Sequence, residues 1–221
     1  MRPINPSMPI VVYAVGPFGG AIARYLKLLH IDITTFELTG CESTVQLNLP
    51  VPGLMVLASW RSVPKLSCSL EELAYRSNIP LIPVFLDSRI LRIGPLMVPA
   101  HGPCWNCWVR RRLQHTRWPK EQNALMEFYS TNVDSGPEGY LEPFALMGAS
   151  RICQMIRLLQ EPAEYAGAIW QIDMLSFEIT VSKLVGIHAC SRCGLELNRH
   201  ACGFDVMKAE LSHLWKSEGD M

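Results

Sequence analysis

A mixed α/β fold built on a parallel sheet is predicted for this chain by three observations. Short β-branched runs alternate with helical stretches through the first half, the pattern of strands covered by helices. The first of these runs ends in a glycine-rich turn that leads into a helix. Two Cys-x-x-Cys pairs lie far apart in the second half, where a shared metal ion would tie distant segments together.

Taken in order, Ile10 to Val15 is the first strand, and it ends in Gly16-Pro17-Phe18-Gly19-Gly20. Ala21 to Leu29 then shows helical periodicity through Ile22, Tyr25, Leu26 and Leu29. Ile31 to Glu37 and Gly53 to Ser59 read as the second and third strands, joined from Leu38 to Pro52 by a polar loop with two prolines, where parallel strands normally have a helix. Ser69, followed by Glu71 and Glu72, caps a helix that runs to about Arg76, and Ile79 to Leu86 is the next strand. Arg89 to Val98 alternates as a further strand or hairpin. Helices are expected at Trp105 to His115, Lys120 to Phe128 and Leu141 to Leu159, with a loop from Thr131 to Glu138, and two β segments between Ala168 and Val185. The chain reads as a single domain over 1–221, with a Rossmann-like half over 1–99 and a cysteine-bearing helical and β half over 100–221.

Composition narrows the function classes. The 221 residues are 49% hydrophobic and 18% charged, ample for a packed core. Lys plus Arg equals Asp plus Glu at 20 each, so no net field draws in nucleic acid or an anionic membrane. The one basic run, Arg110 to Arg112 with Arg117 nearby, is local, and serves either as a solvated helix face or as a contact for an acidic partner. The apolar stretch before Gly16 is only about seven residues long, with prolines before it and no small-residue cleavage site after it, so it reads as a strand and not a signal. No segment reaches the roughly 18 to 20 apolar residues of a membrane span. A soluble, cytosolic protein is expected. In that reducing compartment the eight cysteines argue for metal ligation before disulfides. Cys41, Cys68 and Cys153 stand alone and read as ordinary thiols.

Each Cys-x-x-Cys places two thiolates on one tight turn, within reach of the same tetrahedral ion. Cys104, Cys107, Cys190 and Cys193 would together close a four-thiolate zinc site, which leaves no open position for chemistry and is therefore structural. Two alternatives stay open at this level. A redox pair is one, argued against because neither pair is expected to open a helix after a thioredoxin-like strand. Replacement of one cysteine ligand by His188 or Cys202 is the other. Trp105 and Trp108, on either side of Cys107, would give the sulfurs a hydrophobic cover. Ile152, Met155, Ile156 and Leu159 form one helical stripe, either core or the face of a homodimer.

Ala14 to Gly19 matches the glycine fingerprint of dinucleotide sites with alanine at its first position, so Gly16 and Gly19 are the candidate nucleotide contacts. Glu37 lies about 20 residues on, where a ribose-binding carboxylate would sit. Pro17 removes one backbone N–H from any phosphate cradle. The competing reading keeps the turn for close packing of helix on strand, with no nucleotide.

The order of these features, from a Rossmann-like half through Ile93-Gly94-Pro95-Leu96-Met97-Val98-Pro99 and Gly102-Pro103-Cys104-Trp-Asn-Cys107 to Cys190-Ser-Arg-Cys193-Gly194, resembles the ThiF-like fold of ubiquitin-activating and molybdopterin-activating enzymes. More narrowly it resembles the ThiF-like partner proteins of azole-forming maturases, which modify ribosomally made peptides. Active ThiF-like enzymes carry an Asn and an Arg soon after the second strand to contact ATP, and a further Asp that manages magnesium. Here LTGCESTVQLNL follows Glu37 with no matching Arg, and Trp60-Arg61-Ser62 follows the third strand with no Asp. Adenylyl transfer would then lack its charge stabilisation. The resemblance thus implies a non-catalytic, zinc-containing scaffold that leaves ATP unbound and activates a YcaO-type cyclodehydratase. The substrate would be Cys, Ser or Thr of a precursor peptide. The winged-helix clamp with which such partners commonly begin is not expected, because the first strand starts by Ile10, so a separate protein would bring in the peptide leader. Two further readings stand beside it: a true ATP-dependent adenylating enzyme with Glu37 on the ribose, and a zinc-stabilised interaction module unconnected with peptide maturation.

Overall fold

The structure, a computed structural model, describes residues 9–29, 31–38, 52–132, 134–137, 139–188 and 190–194. β1 (Ile10–Val15) passes directly into α1 (Gly16–Leu28), followed by β2 (Ile33–Leu38), β3 (Leu54–Ser59), α2 (Pro64–Arg76), β4 (Leu81–Asp87) and β5 (Ile90–Ile93). The second half contributes α3 (Trp105–His115), α4 (Pro119–Thr131), α5 (Glu142–Leu158), the single turn α6 (Pro162–Tyr165), β6 (Ala168–Asp173) and β7 (Ile179–Lys183).

All seven strands join one sheet in the order β2-β1-β3-β4-β5-β6-β7. β2, β1, β3 and β4 run parallel, and β5, β6 and β7 continue as an antiparallel meander from the hairpin that pairs Val84 with Ile93. Both halves of the chain therefore share one sheet. The central strands β1 and β3 are buried at every position because helices cover both faces. Alternation along β1 divides the core: Ile10 and Val12 pack with α1 and α5, while Val11, Tyr13 and Val15 face α2, α3 and the four cysteines. At the far edge no residue of β7 is buried.

Several boundaries differ from the sequence reading, and prolines explain two of them. α1 begins at Gly16, so the glycine turn is itself the first turn of the helix, with Pro17 at a position where its missing N–H costs nothing. α2 begins at Pro64 and not at Ser69, which lies inside it. β2 begins at Ile33 and β4 at Leu81, each two residues late. The loop expected from Leu38 to Pro52 falls almost wholly outside the described residues, as do Cys41 and Cys202. The stripe on α5 is core: Ile152 and Met155 are fully buried, as is Leu159 just past the helix end, each contributing about 2 kcal/mol of apolar burial. Among the described residues no helix is long and apolar enough to cross a membrane.

Candidate functional site

The two cysteine pairs meet on the α2–α3 face of the sheet. Cys104 is the N-cap residue of α3 and Cys107 lies in its first turn. The first pair thus opens a helix, but it follows the turns of residues 99–102 and not a strand, so the expectation that neither pair opens a helix after a thioredoxin-like strand is not overturned. The second pair beside the first also counts against a redox role. The Sγ atoms of Cys104 and Cys107 are 3.8 Å apart, those of Cys104 and Cys190 3.6 Å, and those of Cys107 and Cys193 3.3 Å. All four lie within 4.8 Å of one another, and all are buried.

A tetrahedron of sulfurs about 2.3 Å from a central ion has edges of about 3.8 Å. The observed spacings approach that figure and are far above the roughly 2.05 Å of a disulfide. The four cysteines are close enough to hold one metal ion, and as a closed set of four they would leave it no site for substrate. As bare thiols they are unequal. Hydrogen bonding with Cys193, aided by the free N–H groups at the start of α3, draws Cys104 down to about 5. The same bond, with burial, pushes Cys193 far above the ordinary thiol range, and burial raises Cys107. A divalent cation would displace the shared protons and make all four thiolates. His188, Cys68 and Cys153 do not join the group among the described residues.

Three elements brace this centre. The Ile187 N–H donates to Cys107 Sγ at 3.3 Å, and Gly194, at φ +59°, closes the second turn with its N–H on the Cys190 carbonyl. Arg192, between the second pair, donates to Glu71 at 2.9 Å and to Glu72, both on α2, while its own carbonyl accepts from the Tyr75 hydroxyl at 2.8 Å. Glu71 is 6% exposed, and burial pushes its carboxyl up to about 7 against the pull of Arg192. Trp105 and Trp108 are buried in the same cluster, Trp105 edge-on to Phe85. Neither Arg192 nor Glu71 stood out in the sequence. An arginine inside a cysteine knuckle is a local hint, but its partner lies 121 residues away.

The basic run on α3 is neither a plain solvated face nor a free patch. Arg112 pairs with Asp87 at 2.8 Å, and Arg111 donates to the carbonyls of Val185 and Gly186. These bonds hold the start of the second cysteine segment to α3.

At the other end of the parallel strands lies the glycine turn. Gly16 has φ +66°, a conformation that favours glycine. A Cβ there would lie 2.4 Å from Cδ1 of Trp60, so the indole rests on the turn. A Cβ at Gly19 would lie 2.4 Å from the Ala58 carbonyl oxygen, which is the close helix-to-strand approach that the third fingerprint glycine serves. Arg61 is buried beside Trp60, with its guanidinium 4.2 Å from the Tyr129 ring centre and hydrogen-bonded to the Ser62 and Asn132 carbonyls. Gly136 in the loop after α4 presses on the same indole. A cavity of about 590 Å³ remains beside the turn, lined by Gly16, Phe18, Leu38, Trp60, Asp134 and Tyr140. Glu37 is not in its lining. It lines a separate surface groove with Arg24, Lys27 and Thr35, while its neighbour Leu38 faces the cavity. The structure thus brings Gly16 and Gly19 together and sets Glu37 apart.

No family model matches this chain, and no curated protein does. Solved structures do. The heterocyclase TruD superposes with a TM-score of 0.63 at 18% identity, over 95% of this chain and 32% of that one. E. coli MccB with succinimide superposes at 0.61 and 13% identity, over 87% of this chain and 67% of MccB. A chain of the E. coli microcin synthetase McbBCD complex superposes at 0.60 and 15% identity, over 84% and 69%. At such identities the likeness is one of fold. The chain shares the mixed α/β fold of these structures, MccB among them, and it spans about a third of the TruD chain.

Proposed function

We propose that this protein is a zinc-stapled, ThiF-like scaffold that binds and activates a YcaO-type cyclodehydratase in the cytosol, so that azolines form on Cys, Ser or Thr of a ribosomal precursor peptide. In this reading Cys104, Cys107, Cys190 and Cys193 hold one structural Zn²⁺, and Gly16, Gly19 and Glu37 are what is left of a nucleotide site. The observation that carries the reading is Trp60. Its indole rests on Gly16 at the crevice beside the carboxyl ends of β1 and β3, where open α/β sheets bind their ligands. A phosphate approaching the start of α1 would meet that ring. No Asp stands in Trp60-Arg61-Ser62 directly after β3, and the Arg61 guanidinium beside the indole donates to the Ser62 and Asn132 carbonyls. Charge developing on a transferring phosphoryl group would find little to stabilise it.

The folds of TruD and of the McbBCD chain, whose names speak of heterocyclase and synthetase, support the biosynthetic setting. An apolar surface for a partner is at hand on the β6–β7 hairpin, where Leu175, Phe177, Ile179 and Val181 are each more than half exposed. The test is reconstitution. The purified chain alone is expected to show no ATP turnover above buffer, and the YcaO-type protein encoded with it is expected to hydrolyse ATP and dehydrate peptide faster by tenfold or more when the chain is added. ATP turnover by the chain alone, or no effect on the YcaO protein, would sink the proposal.

One feature favours a second reading, the adenylating enzyme. The cavity beside Gly16 falls in the size range of a small-ligand site and abuts a helix N-terminus. ATP binding seen by calorimetry and abolished in Gly16→Asp would support that enzyme against the scaffold.

A further inference from the structure

α3 diverges from the antiparallel end of the sheet and leaves a groove of about 670 Å³ against β5, β6 and the end of β7. Its lining includes Arg92, Arg111, Arg112 and His115, with Trp108, Ile169 and Leu184 as apolar floor. Asp87, at the end of β4, pairs with Arg112 at 2.8 Å and with Arg92 at 3.4 Å. Among the described residues two guanidiniums therefore share one carboxylate, and the third, Arg111, reaches only neutral acceptors, namely the Val185 and Gly186 carbonyls and Gln114.

Arg92 is the telling member. It is 9% exposed, sits under the Trp108 ring, and among the described residues its Nε has no hydrogen-bond partner. A buried cation with half a counter-charge is costly, and the missing half is what an anion in the groove would supply. Burial and the nearby charge of Arg112 disfavour the charged form of Arg92, in line with that shortage.

We propose that this groove is a binding site for an acidic peptide segment, whose side-chain carboxylates complete the pairing of Arg92 and Arg112 while its apolar side chains rest on Trp108 and Leu184. Two features favour a peptide over an inorganic anion. The groove is far larger than a single phosphate, and its floor of Trp108, Ile169 and Leu184 is apolar, which a bare anion would not use. Among the described residues β7 pairs only with β6, and it is exposed at every position, so an extended segment leaving the groove finds a free strand edge to join. The site lies on the antiparallel end of the sheet, away from the glycine turn, and needs neither nucleotide nor YcaO protein.

The test uses the isolated, zinc-replete chain and a fluorescein-labelled peptide that alternates Glu with Leu, followed by anisotropy. The Glu peptide is expected to bind about tenfold or more tightly than its Gln counterpart, and to weaken with salt. Arg112→Gln is expected to remove most of that preference. Gln171→Glu provides a second handle that leaves the arginines intact. Gln171 lies across from Arg92 in the strand register and lines the groove, so the new carboxylate should raise the melting temperature and displace the peptide by a similar factor. Equal binding of the Glu and Gln peptides, no binding of either, inorganic phosphate competing as tightly as the peptide, or unchanged binding in both variants would each overturn the proposal.

Discussion

At one end of the parallel strands four buried sulfurs are gripped by α3, by the segment after β7 and, through Arg192, by α2; at the other end a helix N-terminus is met by an indole. Both ends began as recognisable motifs, two Cys-x-x-Cys pairs and a glycine fingerprint. The cysteine end brings four sulfurs close enough to hold one metal ion and adds braces around them. The glycine end keeps its backbone geometry, in Gly16 and Gly19, while Glu37 lines a separate groove and Trp60 rests on the turn with Arg61 buried beside it. Geometry that also serves packing persists in both places. The groups that would serve only a nucleotide do not converge.

If that contrast is right, the cysteine end carries the fold. Cys190→Ser, or zinc removal by chelator, is expected to leave the chain largely insoluble, since structural zinc contributes about 10 kcal/mol or more, comparable to the whole stability of a domain. Elemental analysis should find about one zinc per chain. A soluble, metal-free protein with cooperative unfolding would break the comparison at its strong side.

Gly19→Ala tests the claim that the glycine end survives for packing. Its Cβ would lie 2.4 Å from the Ala58 carbonyl oxygen and 3.0 Å from the Ala14 backbone, neither of which can swing aside. A loss of about 3 kcal/mol by denaturant unfolding is expected, more than the helix propensity gained. Arg192→Met should cost about 2 kcal/mol by the same measurement, less than a fully buried pair because Arg192 is 27% exposed, and it leaves Glu71 buried without its cation. Adding Glu71→Gln to that variant should recover part of the loss, the mark of a coupled pair.

The smallest effect is a control of opposite sign. Gly20, one residue along α1, has nothing within 4 Å of its would-be Cβ, so Gly20→Ala should stabilise by somewhat under 1 kcal/mol. If the two glycine variants behaved alike, close approach would not be what Gly19 serves.

Much of the strand and helix order was legible because burial leaves a period: wholly apolar runs for β1, β3 and β4, and a 3.6-residue stripe on α5. The four ligand candidates were legible because a tetrahedral thiolate site needs a short local spacing, which Cys104–Cys107 and Cys190–Cys193 both show. Helix starts were missed where proline stands in the first turn: Pro64 outranked the serine cap read at Ser69, and Pro17 lies in the glycine turn that was read as preceding the first helix.

By itself the sequence determined the fold class, the glycine turn and the set of cysteines, since each is written in spacings of a few residues. The tertiary structure alone decided which side chains those motifs meet. The partnership of Arg192 with Glu71, the seat of Trp60 on Gly16, the place of Glu37 in a separate groove, and the arginine surplus beneath α3 are all contacts between residues far apart in the chain. Such contacts depend on register and crossing geometry, which leave no period in the sequence and exist only once the sheet and its helices have packed.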